Sequence, residues 1–91
     1  MAGERTDDLL TRVQRAAKIG EIIIKRHCRD RMSERNVSAE DVKRAILSAT
    51  TAIDQPKEKT IKLEGGKDID GDDLKVVVAE DRRGLRIVTV M

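Results

Sequence analysis

The stretch DLKVVVAEDRRGLRIVTVM, residues 73–91, decides the fold class of this chain. It contains two runs rich in β-branched residues, separated by a short polar segment that ends in Gly84. Val, Ile and Thr favour extended structure, and a glycine between two such runs can supply the positive φ that a tight turn requires. The pattern predicts a β-hairpin with strands at 73–80 and 85–91, joined by the loop DRRG.

Two further segments upstream have the character of strands. TIKLE (60–64) alternates apolar and polar residues, which is typical of a half-buried strand. EIIIK (21–25) contains three β-branched residues in a row and predicts either a short buried strand or an extended linker. The last three predicted strands follow one another closely and should form an antiparallel meander.

Three helices are predicted before this meander. DDLLTRVQRAAKI (7–19) places its apolar residues on one stripe of a helix. A second helix should cover about Arg26 to Arg35, and Asn36 can end it in a left-handed conformation. The third begins at Ser38 as N-cap, with Asp41 in the position that completes a capping box.

The predicted fold is therefore α+β. N-terminal elements in the order αβαα pack on one face of a three- to four-stranded, mostly antiparallel sheet that ends in the C-terminal β-meander. A chain of 91 residues is expected to form a single domain. The stripes of the helices and strands predict one shared core, made of Leu10, Val13, Val42, Ile46, Val76, Val78, Leu85 and Ile87.

Composition excludes several functions. The chain has no Phe, Tyr or Trp, so it offers no aromatic platform for stacking single-stranded bases. Its net charge is only +2, and residues 1–36 carry nine Lys/Arg against six Asp/Glu. The positive charge is thus concentrated in the first part of the chain, which is typical of a local anion site and not of the global basic field of an architectural DNA binder.

The remaining composition bears on compartment and cofactors. A single Cys cannot form an internal disulfide, and a reducing cytoplasm is the simplest location for such a chain. One His and one Cys are too few for a structural zinc site, so we predict no metal and no cofactor. No stretch approaches the roughly 20 apolar residues that span a bilayer, so we expect no membrane insertion. The sequence does not reveal an oligomeric state.

One cluster of residues in the second predicted helix has the composition of a functional site. At 100° per residue, His27, Arg31 and Arg35 fall within an arc of about 80°, and Cys28 and Met32 lie next to it, facing the core. An imidazole can exchange a proton near neutral pH. Two guanidinium groups beside it can hold a phosphate and stabilise charge in a transition state. These are the requirements of a metal-independent ribonuclease.

A structural interpretation of the same cluster is also open. Arg31 and Arg35 could pair with carboxylates of Glu34, Glu80 or Asp81 and brace the helix against the sheet. Two other motifs do not fulfil the requirements of the sites that they resemble. The loop DIDGDD has the wrong spacing for an EF-hand calcium site. The link NVS between two helices suggests a helix-turn-helix, but the second of these helices begins with acidic residues, where DNA contacts would lie.

The pattern His-x-x-x-Arg-Met-x-x-Arg-x-Val-Ser-x-Glu-Asp-Val at 27–42, together with LKVVVAEDRRGLRIVTV at 74–90, resembles the signature of a small bacterial family of unknown function. That family has HA-x-x-RM-x-x-R, then IS-x-EDV, and a sheet ending in VVVA and L-x-VVTV. The resemblance covers about Glu21 to Met91, and the helix in residues 1–20 lies outside it or forms a variable extension. The family is related to the RelE-, HigB- and MqsR-like toxins.

This resemblance implies a RelE-like fold and an RNA-cleaving or RNA-binding activity that is neutralised by an antitoxin protein. The RNA would be free or ribosome-bound. His27, Arg31 and Arg35 fall on the family's recurring polar positions and are the expected catalytic residues. Further cations that could bind nucleic acid are Lys25, Arg26, Lys75 and Arg86. The alternative is a non-enzymatic interaction domain that uses the same basic edge to bind an acidic protein.

Overall fold

A computed structural model of the chain describes residues 6–91, with side chains from Asp8 onward. The elements in chain order are α1 (Thr6–Ile19), β1 (Glu21–Ile23), α2 (Arg26–Glu34), α3 (Ala39–Ser48), β2 (Thr51–Gln55), β3 (Thr60–Glu64), β4 (Val76–Asp81) and β5 (Gly84–Val90). The predicted order αβαα, followed by strands, is therefore confirmed, and so is the α+β class.

The five strands form one sheet in the order β1-β5-β4-β3-β2. β1 runs parallel to β5, and every other neighbouring pair is antiparallel. The predicted C-terminal meander is confirmed as β3-β4-β5. The predicted number of three to four strands is wrong, because β2 at Thr51–Gln55 was not recognised. Asp54 and Gln55 give this segment little apolar character, and it becomes a strand by pairing with β3 along its whole length.

The core lies between the helices and one face of the sheet. Seven of the eight residues predicted for it are buried in one cluster, and the eighth, Leu10, packs against that cluster. Val77 and Ala79 alternate with Val76 and Val78 and therefore face the other side of β4. Neither belongs to the core cluster, although both are buried. The helices thus cover one face only.

The start of α3 has the predicted capping box. The Asp41 backbone N–H donates to Ser38 Oγ at 3.0 Å, and the Ser38 backbone N–H donates to Asp41 Oδ2 at 2.9 Å. The Ile69 backbone N–H donates to the other carboxylate oxygen of Asp41 at 3.1 Å, which ties the loop before β4 to this helix. These hydrogen bonds, that from Ser38 first, lower the pKa of Asp41 because they favour its charged form.

The predicted hairpin between β4 and β5 is present, with Arg82 and Arg83 at its turn. Gly84 has the expected positive φ, at 152°. The structure adds a second reason for this glycine. A Cβ at Gly84 would lie 2.1 Å from the carbonyl oxygen of Glu21, so only glycine lets β1 dock beside β5.

Candidate nucleic-acid interface

α2 takes its orientation from two buried residues. It begins at Arg26, directly after Lys25 in extended conformation, and it has no side-chain N-cap. Cys28 and Met32 are its buried residues, four positions apart and therefore on one side of the helix. With that side held in the core, the other positions of α2 are exposed and carry basic residues together with Asp30 and Glu34.

His27 and Arg31 are both exposed and lie one turn apart on α2. Neither side chain takes part in a hydrogen bond or an ion pair with any residue of the described range 6–91. The Arg31 charge does act on its neighbour in the core. Burial raises the pKa of the Cys28 thiol, and the positive charge of Arg31 partly opposes this rise. Cys28 is therefore a buried thiol and not a nucleophile.

Arg35 differs from the other two members of the predicted row. It is the C-cap of α2, with φ −101° and ψ 5°, and its Nη1 donates to the carbonyl oxygen of Val90 at 3.2 Å. Val90 lies opposite Val76, and the Met91 N–H donates to the Lys75 carbonyl. In an antiparallel pair, this pattern turns the Val90 carbonyl away from β4, toward the side of β5 on which β1 lies. The carbonyl lies beyond the last residue pair of β1 and β5, and Arg35 holds α2 against this part of β5.

The salt bridges of the structural interpretation are not formed. Glu80 accepts two hydrogen bonds from Arg12, at 2.8 and 2.9 Å, and Asp81 lies 3.8 Å from Arg83. Ion pairs among the described side chains include Arg12–Glu80, Lys62–Glu64, Lys67–Asp73, Lys75–Glu64 and Arg83–Asp81. All of these pairs lie outside α2. No carboxylate in residues 8–91 forms an ion pair with a cation between Lys25 and Arg35.

That segment contains five Lys/Arg and two Asp/Glu, and so carries a net charge of +3. Lys25, Arg26, Arg29, Arg31 and Arg35 are all exposed. Arg29 was not predicted as a site residue, because it lies away from the row of His27 on a helical wheel. Like the other four cations it is exposed and has no ion pair among the described residues, on a side of the helix about 160° from Arg31. We call these five cations, together with His27, the α2 basic surface.

Lys75 and Arg86 lie on the other side of the sheet. Arg86 is opposite Ala79, and Lys75 precedes Val76 of the core, so both follow the alternation that points away from the helices. Lys75 and Ala79 are four positions apart along the chain, which corresponds to about 13 Å in an extended strand. Lys75 also lies 3.7 Å from Glu64. The structure therefore does not bring these two cations together with His27.

Asp81, the last residue of β4, has a pKa that several surrounding groups lower. The backbone N–H of Arg83 is the largest cause that lowers the pKa of Asp81, and the charges of Arg83, Arg86 and Lys25 lower it further. Lys25 and Arg86 thus lie close enough to one carboxylate to act on it together.

Within residues 6–91, no group of three or more His, Cys, Asp or Glu side chains is arranged to hold a metal ion. In the same range, the helices are too short or too polar to cross a bilayer.

The fold and the basic helix define a small α+β domain with a cationic surface. The chain belongs to a family described as a domain of unknown function, DUF4258, which matches residues 24–91. The matched range begins just after β1, so α2 and all the residues of its basic surface lie inside it. Searches of curated proteins and of solved structures found no match.

Proposed function

We propose that this chain is an RNA-binding domain of the RelE-like toxin type, which contacts the RNA backbone through the α2 basic surface. The observation that carries the proposal is that the cations between Lys25 and Arg35 are exposed and form no ion pairs with the described residues. Such cations can bind phosphate without first breaking an internal salt bridge. Their release of counterions from RNA then contributes directly to affinity.

The mode of binding follows from composition. Without Phe, Tyr or Trp, base stacking contributes little, and contacts to phosphate and ribose must dominate. We therefore expect weak dependence on RNA sequence and steep dependence on salt. The partners in this proposal are RNA, free or ribosome-bound, and an antitoxin that covers the same surface. The location in which they meet is the cytoplasm.

Cleavage is the second part of the proposal and depends on His27. Its imidazole would accept the proton of a ribose 2′-hydroxyl, and the 2′-oxygen would then attack the adjacent phosphorus. The bond to the 5′-oxygen of the next nucleotide breaks, and this oxygen takes a proton from water. Arg31, one turn away on the same helix, would stabilise the charge on the phosphate oxygens. Arg35 acts here as a positioning residue that holds the C-terminal end of α2.

The test is binding of the purified chain to a labelled single-stranded RNA at several salt concentrations. Arg29→Ala and Arg31→Ala should each weaken binding and reduce the slope of log affinity against log salt by about one. Lys57→Ala is the matched control, because Lys57 is an exposed cation at the turn between β2 and β3, and it should leave both quantities unchanged. Equal effects of all three variants would contradict a site on α2. Incubation with total RNA, with and without ribosomes, then tests cleavage.

A second candidate is a non-enzymatic domain that docks an acidic protein segment on the same surface. The absence of aromatic side chains favours it, since an acidic peptide needs no stacking platform. Binding of a poly-glutamate peptide that requires Arg31, without binding of RNA, would support this candidate over the first. Growth arrest on induced expression would support the toxin.

A further inference from the structure

Among residues 6–91, β1 leaves one edge of the sheet without a partner strand. It is the outermost strand in the sheet order, and within this range it pairs with β5 alone. α1 ends at Ile19 before it, and α2 begins at Arg26 after it, so the segment 21–25 lies outside both helices. An edge strand presents unpaired backbone N–H and C=O groups, which another strand can bind.

The direction of the free backbone groups can be derived. The Glu21 N–H donates to the Arg83 carbonyl at 2.7 Å, so Glu21 directs its N–H toward β5. Successive residues of a strand direct their backbone groups to opposite sides. Ile22 and Ile24 therefore direct theirs outward, away from β5. Lys25, the next residue, is still extended, with φ −79° and ψ 162°.

The side chains of this segment have a self-complementary pattern. EIIIK has an acid at one end, a base at the other and isoleucines between them. If two copies pair antiparallel about Ile23, Glu21 of each lies opposite Lys25 of the second copy. The same register places Ile22 opposite Ile24 of the second copy. The backbone groups of Ile22 and Ile24 point outward. This register therefore forms two hydrogen-bonded pairs between Ile22 and Ile24 and two ion pairs between Glu21 and Lys25.

We propose that β1 is the two-fold interface of a homodimer, in which two five-stranded sheets join edge to edge. A two-fold interface requires one surface that is complementary to itself, and segment 21–25 fulfils this condition. Neither Glu21 nor Lys25 forms an ion pair within the described residues, so each is available to the second copy. Ile19, at the end of α1 two residues before β1, is 78% exposed and adds apolar surface next to this edge.

The expected dimer is weak, because a paired strand of this length contributes less area than the interface of a stable dimer. Dimerisation should therefore depend on protein concentration, and sedimentation equilibrium from micromolar to millimolar concentrations can follow it. This proposal does not depend on RNA binding, and its test contains no RNA. Its failure would leave the proposed RNA contacts of α2 untouched.

Charge reversal provides a specific test. Glu21→Lys and Lys25→Glu should each weaken the homodimer at least about tenfold, since each places like charges opposite one another at two symmetric positions. A mixture of the two variants should dimerise like the wild type, because every facing pair is again of opposite charge. The double variant with both changes should also form homodimers. Circular dichroism checks that each variant is folded.

The adjacent residues Lys57 and Glu58 supply matched controls. Both are exposed and lie between β2 and β3, at the other end of the strand order. Lys57→Glu and Glu58→Lys change the net charge in the same way as the test variants, and they should leave dimerisation unchanged. If they weaken the dimer as strongly as the β1 variants, net charge and not the strand register controls association, and the proposal fails.

Hydrogen exchange identifies the interface independently of substitution. The Ile22 and Ile24 amides should exchange slowly at concentrations that favour the dimer and fast on dilution. The Ile23 amide, directed at β5, should not respond to dilution in this way. A chain that stays monomeric at millimolar concentration would overturn the proposal. So would a dimer in which Ile22 and Ile24 gain no protection.

Discussion

Arg35 Nη1 donates a hydrogen bond to the Val90 carbonyl oxygen over 3.2 Å and joins the end of α2 to the C-terminal end of β5. His27 and Arg31, its neighbours on the predicted row, have no such partner in the described chain. A row of basic residues that looks uniform in sequence is therefore divided in the structure. One member stabilises the fold, and two remain open to a ligand.

The first prediction concerns this division. Arg35→Ala should lower the free energy of unfolding by about 1 kcal/mol, because it removes the guanidinium hydrogen bond to the Val90 carbonyl, which then keeps the longer hydrogen bond from the Thr89 hydroxyl at 3.4 Å. Its effect on RNA affinity should be smaller than that of Arg31→Ala, which should in turn leave stability nearly unchanged. Urea unfolding and RNA binding on both variants measure the two effects. An unchanged unfolding midpoint for Arg35→Ala would show that its bond to Val90 contributes nothing.

The second prediction separates binding from cleavage. His27→Ala should leave RNA affinity within a factor of about two but reduce cleavage about 10²–10⁴-fold, the usual loss when one general acid or base is removed. Arg31→Lys should recover little of the cleavage activity that Arg31→Ala loses, because an ammonium group cannot reproduce the forked contact of a guanidinium with phosphate. Single-turnover cleavage of one RNA substrate provides the measurement. Wild-type cleavage by His27→Ala would remove this residue from the reaction.

The third prediction follows from the pKa of Asp41. Because the folded chain lowers this pKa below its ordinary value, the charged carboxylate stabilises the fold above about pH 5. This stabilisation should be lost as the pH falls through the ordinary Asp range toward the lowered folded value. Asp41→Asn should therefore lose stability at pH 7 and show a weaker dependence of stability on pH between 5 and 2 (about the range over which Asp groups titrate).

Asp54→Asn is the control for that experiment, since Asp54 is exposed on β2 and accepts no hydrogen bond among those of the described residues. It should keep the wild-type dependence on pH. Ser38→Ala removes the other half of the capping box and should cost about 1 kcal/mol near pH 7. The cost should be smaller at low pH, because the Ser38 hydroxyl also donates to the Asp41 carboxylate and helps to lower its pKa. Parallel pH profiles for wild type and Asp41→Asn would contradict the role given to this carboxylate.

The fourth prediction tests the packing of α3. Ile46 is completely buried in the core cluster, so Ile46→Ala should cost about 2–5 kcal/mol of unfolding free energy. The same change at Leu47, its partly buried neighbour, should cost less unfolding free energy. Urea unfolding of both variants gives the comparison. A cost below about half a kilocalorie for Ile46→Ala would show that α3 is not packed as described.

The sequence by itself determined the features that depend on neighbouring residues. The Ser38–Asp41 capping box, the left-handed Asn36 and the glycine of the β4–β5 hairpin are local, because the groups that interact are only a few residues apart. The spacing of Cys28 and Met32 likewise predicts which side of α2 is buried.

Only the tertiary structure decided which distant segments meet. β2 became a strand through β3, and β1 took an edge position parallel to β5, which lies some sixty residues further along the chain. The carbonyl that accepts the hydrogen bond of Arg35 lies 55 residues further along the chain, and Arg86 lies on the face of the sheet away from the helices. Local propensity contains no information about such pairings. They are set by the register of the sheet, which is stable only when all the strands bury their apolar sides together.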